Sequence, residues 1–117
     1  MQEKPSTDAA KRKAARRIEE IRRKIASMDY VCSGTVVSSM IKCGKANCRC
    51  ATDRSARHGP YHQWNRMRNG KLIHSTVNTE QAEQLRQAIG RYRTIQKLLR
   101  QWEQETATIL EIRPRRK

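Results

Sequence analysis

Three cysteines lie within eight residues near the middle of this 117-residue chain, and a histidine follows shortly after the last of them. The spacing is Cys43-x4-Cys48-x-Cys50-x7-His58. Thiolate and imidazole are the ligands that zinc prefers, and a closed site with four such ligands can fold a short segment by itself. The cluster therefore predicts a structural metal centre that holds Zn2+ and ties residues 43–58 into one loop.

The chain needs such a centre because it has little material for a hydrophobic core. Hydrophobic residues make up 36% of the sequence, aromatic residues make up 4%, and Phe is absent. A small domain of this composition gains little free energy from burial. We therefore expect a metal, a helical partner or a bound nucleic acid to contribute to its stability.

The sequence contains no long apolar run, which argues against a membrane-spanning segment and a signal peptide. We therefore expect a cytoplasmic, nucleoid-associated protein, in a compartment where thiols stay reduced. Reduced thiols favour metal binding over a disulfide framework for the four cysteines. Free or redox-active thiols are the remaining alternative.

The spacing alone leaves the fourth ligand open. His58 stands directly before a Gly-Pro dipeptide, where it would connect the cysteine loop to the segment that follows. Cys32, upstream of the cluster, is the alternative ligand. His62 and His74 fall within strand-like segments, so we expect them on the sheet surface rather than at the metal.

The periodicity of the apolar residues predicts an α+β fold. Residues 9–28 carry apolar side chains at helical spacing, with Thr7 or Asp8 as a plausible N-cap. Residues 29–41 are rich in Val, Thr, Tyr and Ile, which is typical of a strand. The Asn69-Gly70 dipeptide between two further strand-like runs predicts a tight type I′ hairpin turn. A small three-stranded antiparallel sheet results, with the zinc-binding loop between its first two strands.

A long helix is predicted at the end of the chain. Asn78 and Gln81 have the spacing of a capping box. Beyond them an apolar seam with three-and-four spacing indicates helix pairing with the first helix, within one chain or across a dimer. The seam consists of Leu85, Ile89, Tyr92, Ile95, Leu99, Trp102, Thr106 and Ile109. The chain then divides into a disordered tail at 1–8, a basic amphipathic helix at 9–28, a zinc-stapled sheet at 29–78, the long helix at 79–112 and a basic tail at 113–117.

The charge of the chain indicates a polyanionic partner. Its 26 Lys and Arg against 11 Asp and Glu give a formal net charge of +15, and neutralising phosphates releases counterions from a nucleic acid. Between Val31 and Val77 the only acid is Asp53. We predict nucleic-acid contacts, with DNA favoured over RNA, for the cations of this segment: Lys42, Lys45, Arg49, Arg54 and Arg57 at phosphates, and Arg66, Arg68 and Lys71 at the hairpin.

Several stretches together resemble a known family. K-C-G-K-A-N-C-R-C, H-G-P-Y, R-N-G-K-L and the helix that follows are similar to a family of small bacterial and archaeal proteins of unknown function. The resemblance covers roughly residues 33–105, and its shared pattern is K-C-G-K-x-x-C-x-C, then H-G-P-Y, a hairpin and a long C-terminal helix. Cys32 lies outside this pattern, so the resemblance favours His58 as the fourth ligand. It implies no activity.

Among function classes, catalysis is the least supported. Metal-dependent nucleases hold a hard cation with carboxylates, and the central region offers only Asp53. We expect a non-catalytic, zinc-containing DNA-binding protein, acting as an accessory factor with a larger complex such as a mobile-element recombinase or transposase. The alternatives are a protein adaptor that assembles through its helices, or an RNA-binding protein.

Overall fold

A computed structural model describes residues 7–112. The elements are helix α1 (Asp8–Ala26), strands β1 (Thr35–Ile41), β2 (His58–Arg68) and β3 (Lys71–Val77), and helix α2 (Thr79–Ile109). Two short 3-10 turns, Arg49–Ala51 and Arg54–Ala56, lie between β1 and β2. The predicted α+β arrangement is confirmed. The basic tail at 113–117 and residues 1–6 of the predicted N-terminal tail lie outside the described residues.

The chain forms two compact units. The first, which we call the helical unit, contains α1 and the part of α2 from Tyr92 onwards. The second, which we call the head, comprises Tyr30–Arg91 and therefore contains the whole sheet and the first part of α2. Within residues 7–112 no helix has the length and apolarity needed to cross a membrane.

Helix α1 begins at the predicted cap. The Thr7 side chain accepts a hydrogen bond of 3.1 Å from the Ala10 N–H, which satisfies one of the unpaired amides of the first turn. Ala14 and Ile21 of its apolar stripe are buried. The helix ends at Ala26, two residues earlier than the hydrophobic pattern indicates.

In the helical unit α1 pairs with α2 of the same chain. Arg17 of α1 donates to Glu105 of α2 over 3.2 Å, and Leu98 is 7% exposed. The predicted seam included Leu99, which is instead 45% exposed. The assignment was wrong by one residue because the α2 sequence has apolar residues on two adjacent faces, and the three-and-four pattern does not reveal which of them meets α1.

The sheet has the order β1-β2-β3, and both pairs of strands are antiparallel. The hairpin has the register that a two-residue turn at Asn69-Gly70 implies, with Trp64 opposite Ser75. Asn69 and Gly70 have φ values of 51° and 77°. A two-residue type I′ turn requires this left-handed backbone at both positions, and Asn and Gly tolerate it best.

One face of the sheet, the inner face, packs on α2 within the head. His62 of β2 is buried, 7% exposed, so the expectation that it lies on the sheet surface was wrong. Its Nδ1 lies 2.6 Å from the Ser38 hydroxyl, and its Nε2 lies 3.2 Å from the Thr79 hydroxyl. Arg86 donates to the same Ser38 oxygen over 2.7 Å. These bonds join β1, β2 and the start of α2 through one satisfied imidazole.

The capping box at the start of α2 is confirmed. The Gln81 N–H donates to Asn78 Oδ1 over 2.7 Å, and the Asn78 N–H donates to Gln81 Oε1 over 2.9 Å. Because both bonds are local, they set the point where β3 ends and the helix starts. Ala82, Ala88 and Ile89 then form the buried side of α2 in the head.

Candidate metal centre

The strand pairing brings the two ends of the cysteine loop together. Ile41 at the end of β1 is paired with His58, the first residue of β2, after a register shift that follows Ser39. Cys43 comes two residues after Ile41, so it is held near His58 by the ladder itself. Gly59 has φ 137° and lies close to the Ser39 carbonyl, an approach that a side chain would obstruct.

The four predicted ligands converge. The Sγ atoms of Cys43, Cys48 and Cys50 and a ring nitrogen of His58 all lie within 4.8 Å of one another. Cys48 Sγ is 3.2 Å from His58 Nε2, and Cys50 Sγ is 3.4 Å from Cys43 Sγ. Ligand atoms around a tetrahedral zinc ion are separated by about 3.5–3.8 Å. The cluster can therefore hold a metal ion with small adjustments of the side chains.

The hydrogen bonds inside the cluster favour a thiolate at one position. The backbone N–H of Cys50, followed by the His58 side chain, lowers the pKa of Cys48 to about 6. At Cys50 the Cys43 N–H favours the thiolate, but burial and the neighbouring thiols outweigh it and raise the pKa. Crowded thiols cannot all ionise without a cation. A divalent ion would remove this conflict by binding all three as thiolates.

Cys32 does not belong to the cluster. Its backbone N–H donates to the Ala88 carbonyl over 3.4 Å, and it lines an apolar cavity of about 340 Å³ together with Trp64. Burial raises the pKa of its thiol, which disfavours a thiolate ligand. The alternative in which Cys32 is the fourth ligand is therefore wrong for this fold, because the start of the head places it beside α2.

Asp53, the single acid of the central segment, stabilises the loop and is not one of the clustered ligands. Its carboxylate accepts from the Ser55 hydroxyl over 2.7 Å, from Arg49 over 2.7 Å and from the Ser55 N–H over 3.0 Å. These bonds, the Ser55 hydroxyl first, lower the pKa of Asp53. The carboxylate therefore caps the second 3-10 turn.

The predicted nucleic-acid contacts fall into three places. Arg68 and Lys71 are exposed on either side of the hairpin turn. Arg66 lies on the inner face instead, half-buried, with its guanidinium 3.9 Å from the centre of the Trp64 ring and donating to Ser75 Oγ over 2.9 Å. The connection between β1 and β2, residues 42–57, is called the metal loop. It carries the other five cations: Lys42, Lys45, Arg49, Arg54 and Arg57.

Arg57 has an unusual environment in this loop. Its Nε is the one buried side-chain nitrogen or oxygen that lacks a hydrogen-bond partner among the described residues. A buried polar atom without a partner is costly. An oxygen ligand that reaches this arginine would remove the cost.

The sequence reasoning missed the second face of the sheet. Tyr61, Gln63, Asn65 and Met67 alternate with the inner residues of β2 and point away from α2. The alternation of side chains along β2 could have separated these residues from the inner residues of the same strand. The sequence interpretation relied on the number of arginines in this segment and therefore included Arg66.

Residues 11–87 match the model of a protein family described as a domain of unknown function, DUF6788. The matched segment includes most of α1, the complete sheet and the four clustered ligands, and it ends within α2. It therefore begins earlier and ends earlier than the resemblance at residues 33–105. No curated protein and no solved structure matches the chain.

Proposed function

This chain belongs to the DUF6788 family, and we propose that it is a non-catalytic, zinc-stapled protein that binds duplex DNA through its head. The bacterial and archaeal range of the family and its shared cysteine motif stay predictions. The proposal has three parts: the metal, the nucleic acid and the absence of catalysis.

The donor set supports zinc as the metal. Three thiolates and one imidazole suit Zn2+ and suit Mg2+ or Ca2+ poorly. A site closed by four protein ligands leaves no open position for a substrate, so it supports a structural role. Because the ligands come from the loop and from the first residue of β2, zinc would hold the β1–β2 connection in one conformation.

The observation that carries DNA binding is the larger excess of cations in the head, where ten Lys and Arg stand against three Asp and Glu, compared with eleven against seven in the described part of the helical unit. In the described part of the helical unit, four ion pairs involve Lys11, Arg17, Arg22 and Arg23. In the head, one ion pair joins Arg49 to Asp53. Six further cations of the metal loop and hairpin have no acid within ion-pairing distance among the described residues: Lys42, Lys45, Arg54, Arg57, Arg68 and Lys71.

Unpaired cations on a small rigid head favour phosphate contact. Each phosphate that they neutralise releases counterions, which makes the affinity strongly dependent on salt. Lys42 and Lys45 are exposed, so their ammonium groups are accessible to phosphate oxygens.

A non-catalytic role is supported by the carboxylates. The acids of the head are Asp53, Glu80 and Glu83. The Asp53 carboxylate accepts hydrogen bonds from Arg49 and Ser55. Glu80 and Glu83 lie on α2. The two-metal or acid-base arrangements of nucleases need several carboxylates close together, and the head offers no such group among its described residues.

Salt-dependent binding tests the DNA proposal. The zinc-loaded protein is titrated into a fluorescent duplex of about 25 base pairs, single-stranded DNA and duplex RNA over a range of salt concentrations. The double variant Lys42→Gln, Lys45→Gln is compared with Arg22→Gln, Arg23→Gln, which removes the same charge from paired residues of α1. We expect the first variant to reduce the slope of log affinity against log salt by about 2, and the control to change it little.

Two results would contradict the proposal. Absence of duplex binding at low salt would exclude the DNA-binding function, and tighter binding to duplex RNA would replace DNA by RNA as the partner. An equal loss in both variants would show that the loop is not the binding surface.

A second candidate function is a protein contact through the helices. Leu99, Trp102 and Thr106 border a shallow apolar hollow of about 420 Å³ on α2 of the helical unit. Apolar helix stripes of this kind dock on a second copy or on a partner helix. The narrower expectation of an accessory factor for a recombinase or transposase stays a prediction.

A further inference from the structure

The sheet face that points away from α2 carries no Asp, Glu, Lys or Arg. We call it the outer face. Strand alternation and the observed register place ten residues on it, nine of them exposed and Asn65 half-exposed. The residues are Thr35, Val37 and Ser39 of β1, Tyr61, Gln63, Asn65 and Met67 of β2, and Leu72, His74 and Thr76 of β3. An uncharged surface of this size is unexpected in a chain of net charge +15.

The centre of the outer face is polar. Two rows cross all three strands, and five of their six side chains have hydrogen-bonding groups. The rows are Thr35–Asn65–His74 and Val37–Gln63–Thr76. Apolar and aromatic side chains flank these rows: Met67 and Leu72 towards the hairpin turn, and Tyr61 at the opposite end.

Cations lie beyond both ends of the outer face. Arg68 and Lys71 flank the turn at one end; strand alternation places them on the side of the inner face, and both are exposed at the tip of the hairpin. Lys42 and Lys45 follow β1 at the other end, where the metal loop begins. Along the strands the order is therefore cationic at the turn, then apolar, polar and aromatic on the outer face, and cationic again at the metal loop.

This order distinguishes between two classes of partner. Protein interfaces usually have an apolar core surrounded by a polar rim, which is the reverse of the order found here. The major groove of DNA has donors and acceptors on its floor and phosphates along both walls. The major groove is wide enough to admit two neighbouring strands, so β2 with one of its neighbours can reach the floor. The charge pattern agrees with the groove.

We propose that the outer face reads base edges in the major groove of duplex DNA, with Gln63 and Asn65 as the main reading residues. This inference rests on the proposed DNA-binding function and specifies its sequence-reading surface. The Gln63 side chain has no hydrogen-bond partner among the described residues, so its amide is available to pair with adenine at two atoms. Asn65 Oδ1 is hydrogen-bonded to His74 Nδ1, so the amide nitrogen is the Asn65 group that remains available as a donor.

Arg66 is excluded from reading by the same geometry. It stacks on Trp64 and donates to Ser75 on the inner face. Arg66, which the sequence predicted as a nucleic-acid contact, is thus on the opposite side from Gln63 and Asn65. The exposed cations supply affinity for the phosphates, and the uncharged outer face discriminates between base sequences.

Selection from a random duplex pool tests the inference. The zinc-loaded full chain is used to enrich bound duplexes, and the enriched sequence is then competed against a scrambled duplex of equal length. We expect the wild-type protein to prefer the enriched duplex by about tenfold or more. Gln63→Ala combined with Asn65→Ala should reduce this preference to threefold or less, with unchanged affinity for the scrambled duplex. Gln63→Glu is a second variant, whose carboxylate should select a different base or remove the preference.

The control is Gln87→Ala combined with Gln96→Ala, which removes two exposed amides from α2 and should preserve the preference. Circular dichroism and zinc content are expected to match the wild-type values in all variants, since every substituted side chain is on the surface or half-exposed.

Four outcomes would overturn the inference. If the protein binds duplex DNA but enriches no sequence, or if the Gln63 and Asn65 double variant keeps its preference, base reading by this face is wrong while DNA binding stands. If no duplex is bound at all, the proposed function itself fails. A dimer in sedimentation experiments that Gln63→Arg abolishes would instead show that a second copy covers the outer face.

Discussion

The Nε2 atom of His58 lies 3.2 Å from the Sγ atom of Cys48, a residue ten positions earlier in the chain. His58 is the first residue of β2 and pairs with Ile41 at the end of β1. The contact therefore closes the cysteine loop onto the strand that follows it. A metal at this point would link the loop to the sheet and add stability to a head with few large buried side chains.

Replacing one ligand should remove the metal. In Cys48→Ser we expect loss of bound zinc and a lower free energy of unfolding of the head, because the binding free energy of a structural zinc ion contributes to folding. Cys32→Ser is the matched control, since Cys32 is outside the cluster. Metal analysis by mass spectrometry checks both. Full zinc content in Cys48→Ser would show that the cluster is not the site.

The reactivity of the metal-free, reduced protein should depend on pH through Cys48. Its pKa of about 6 lies below the ordinary value of 9.0 for a thiol. Iodoacetamide should therefore modify Cys48 first at pH 7, with a midpoint near pH 6, while the raised pKa of Cys32 keeps that thiol slow. Peptide mass spectrometry measures both rates.

The lowered pKa of Cys48 also determines in which direction the stability of the metal-free protein changes with pH. Because folding lowers the pKa of Cys48, its thiolate stabilises the folded state fully above about pH 9, and this contribution is lost as the pH falls through about 6. A metal-free head that becomes more stable between pH 9 and pH 6 would contradict this sign.

Arg66 and Arg68 should behave differently although they are two residues apart. Arg66→Ala removes the stacking on Trp64 and the bond to Ser75, so we expect a loss of about 1–2 kcal/mol in stability and an unchanged salt slope for DNA. Arg68→Ala should leave stability unchanged and reduce the slope by about 1. Urea unfolding and fluorescence anisotropy separate the two effects. The opposite pattern would return Arg66 to the DNA-binding surface.

Leu98 and Leu99 form another adjacent pair with different environments. Leu98 is 7% exposed and Leu99 is 45% exposed. Leu98→Ala should reduce the free energy of unfolding by about 2–5 kcal/mol, and Leu99→Ala by less than about 1 kcal/mol. Thermal unfolding measures the difference. If Leu99→Ala instead dissociates an oligomer in sedimentation experiments, the apolar hollow on α2 is an interface.

Local sequence signals predicted much of the fold. The Asn69-Gly70 turn determined the register of the hairpin, because a two-residue type I′ turn leaves one pairing. The Asn78 and Gln81 box marked the start of α2. The strand β1 is shorter than predicted and starts at Thr35 rather than near residue 29, because the preceding residues lie beside α2, where Cys32 bonds to Ala88.

Most of the candidate metal cluster was also readable from the sequence. Three clustered thiols and one histidine before Gly59 are close in the chain, so a short loop can bring them together. The choice between His58 and Cys32 was not readable from spacing, since it depends on the pairing of Ile41 with His58. That pairing joins residues from two different strands.

The sequence by itself determined the helices, the hairpin register and the three cysteines of the candidate metal centre, since each depends on residues close together in the chain. The alternation along β2 also separated Gln63 and Asn65 from His62, Trp64 and Arg66. Only the tertiary structure decided which of these sets is covered, because that depends on where α2 packs. A helix on the inner face buries His62 and holds Arg66 against Trp64, and it leaves the uncharged set open to a partner.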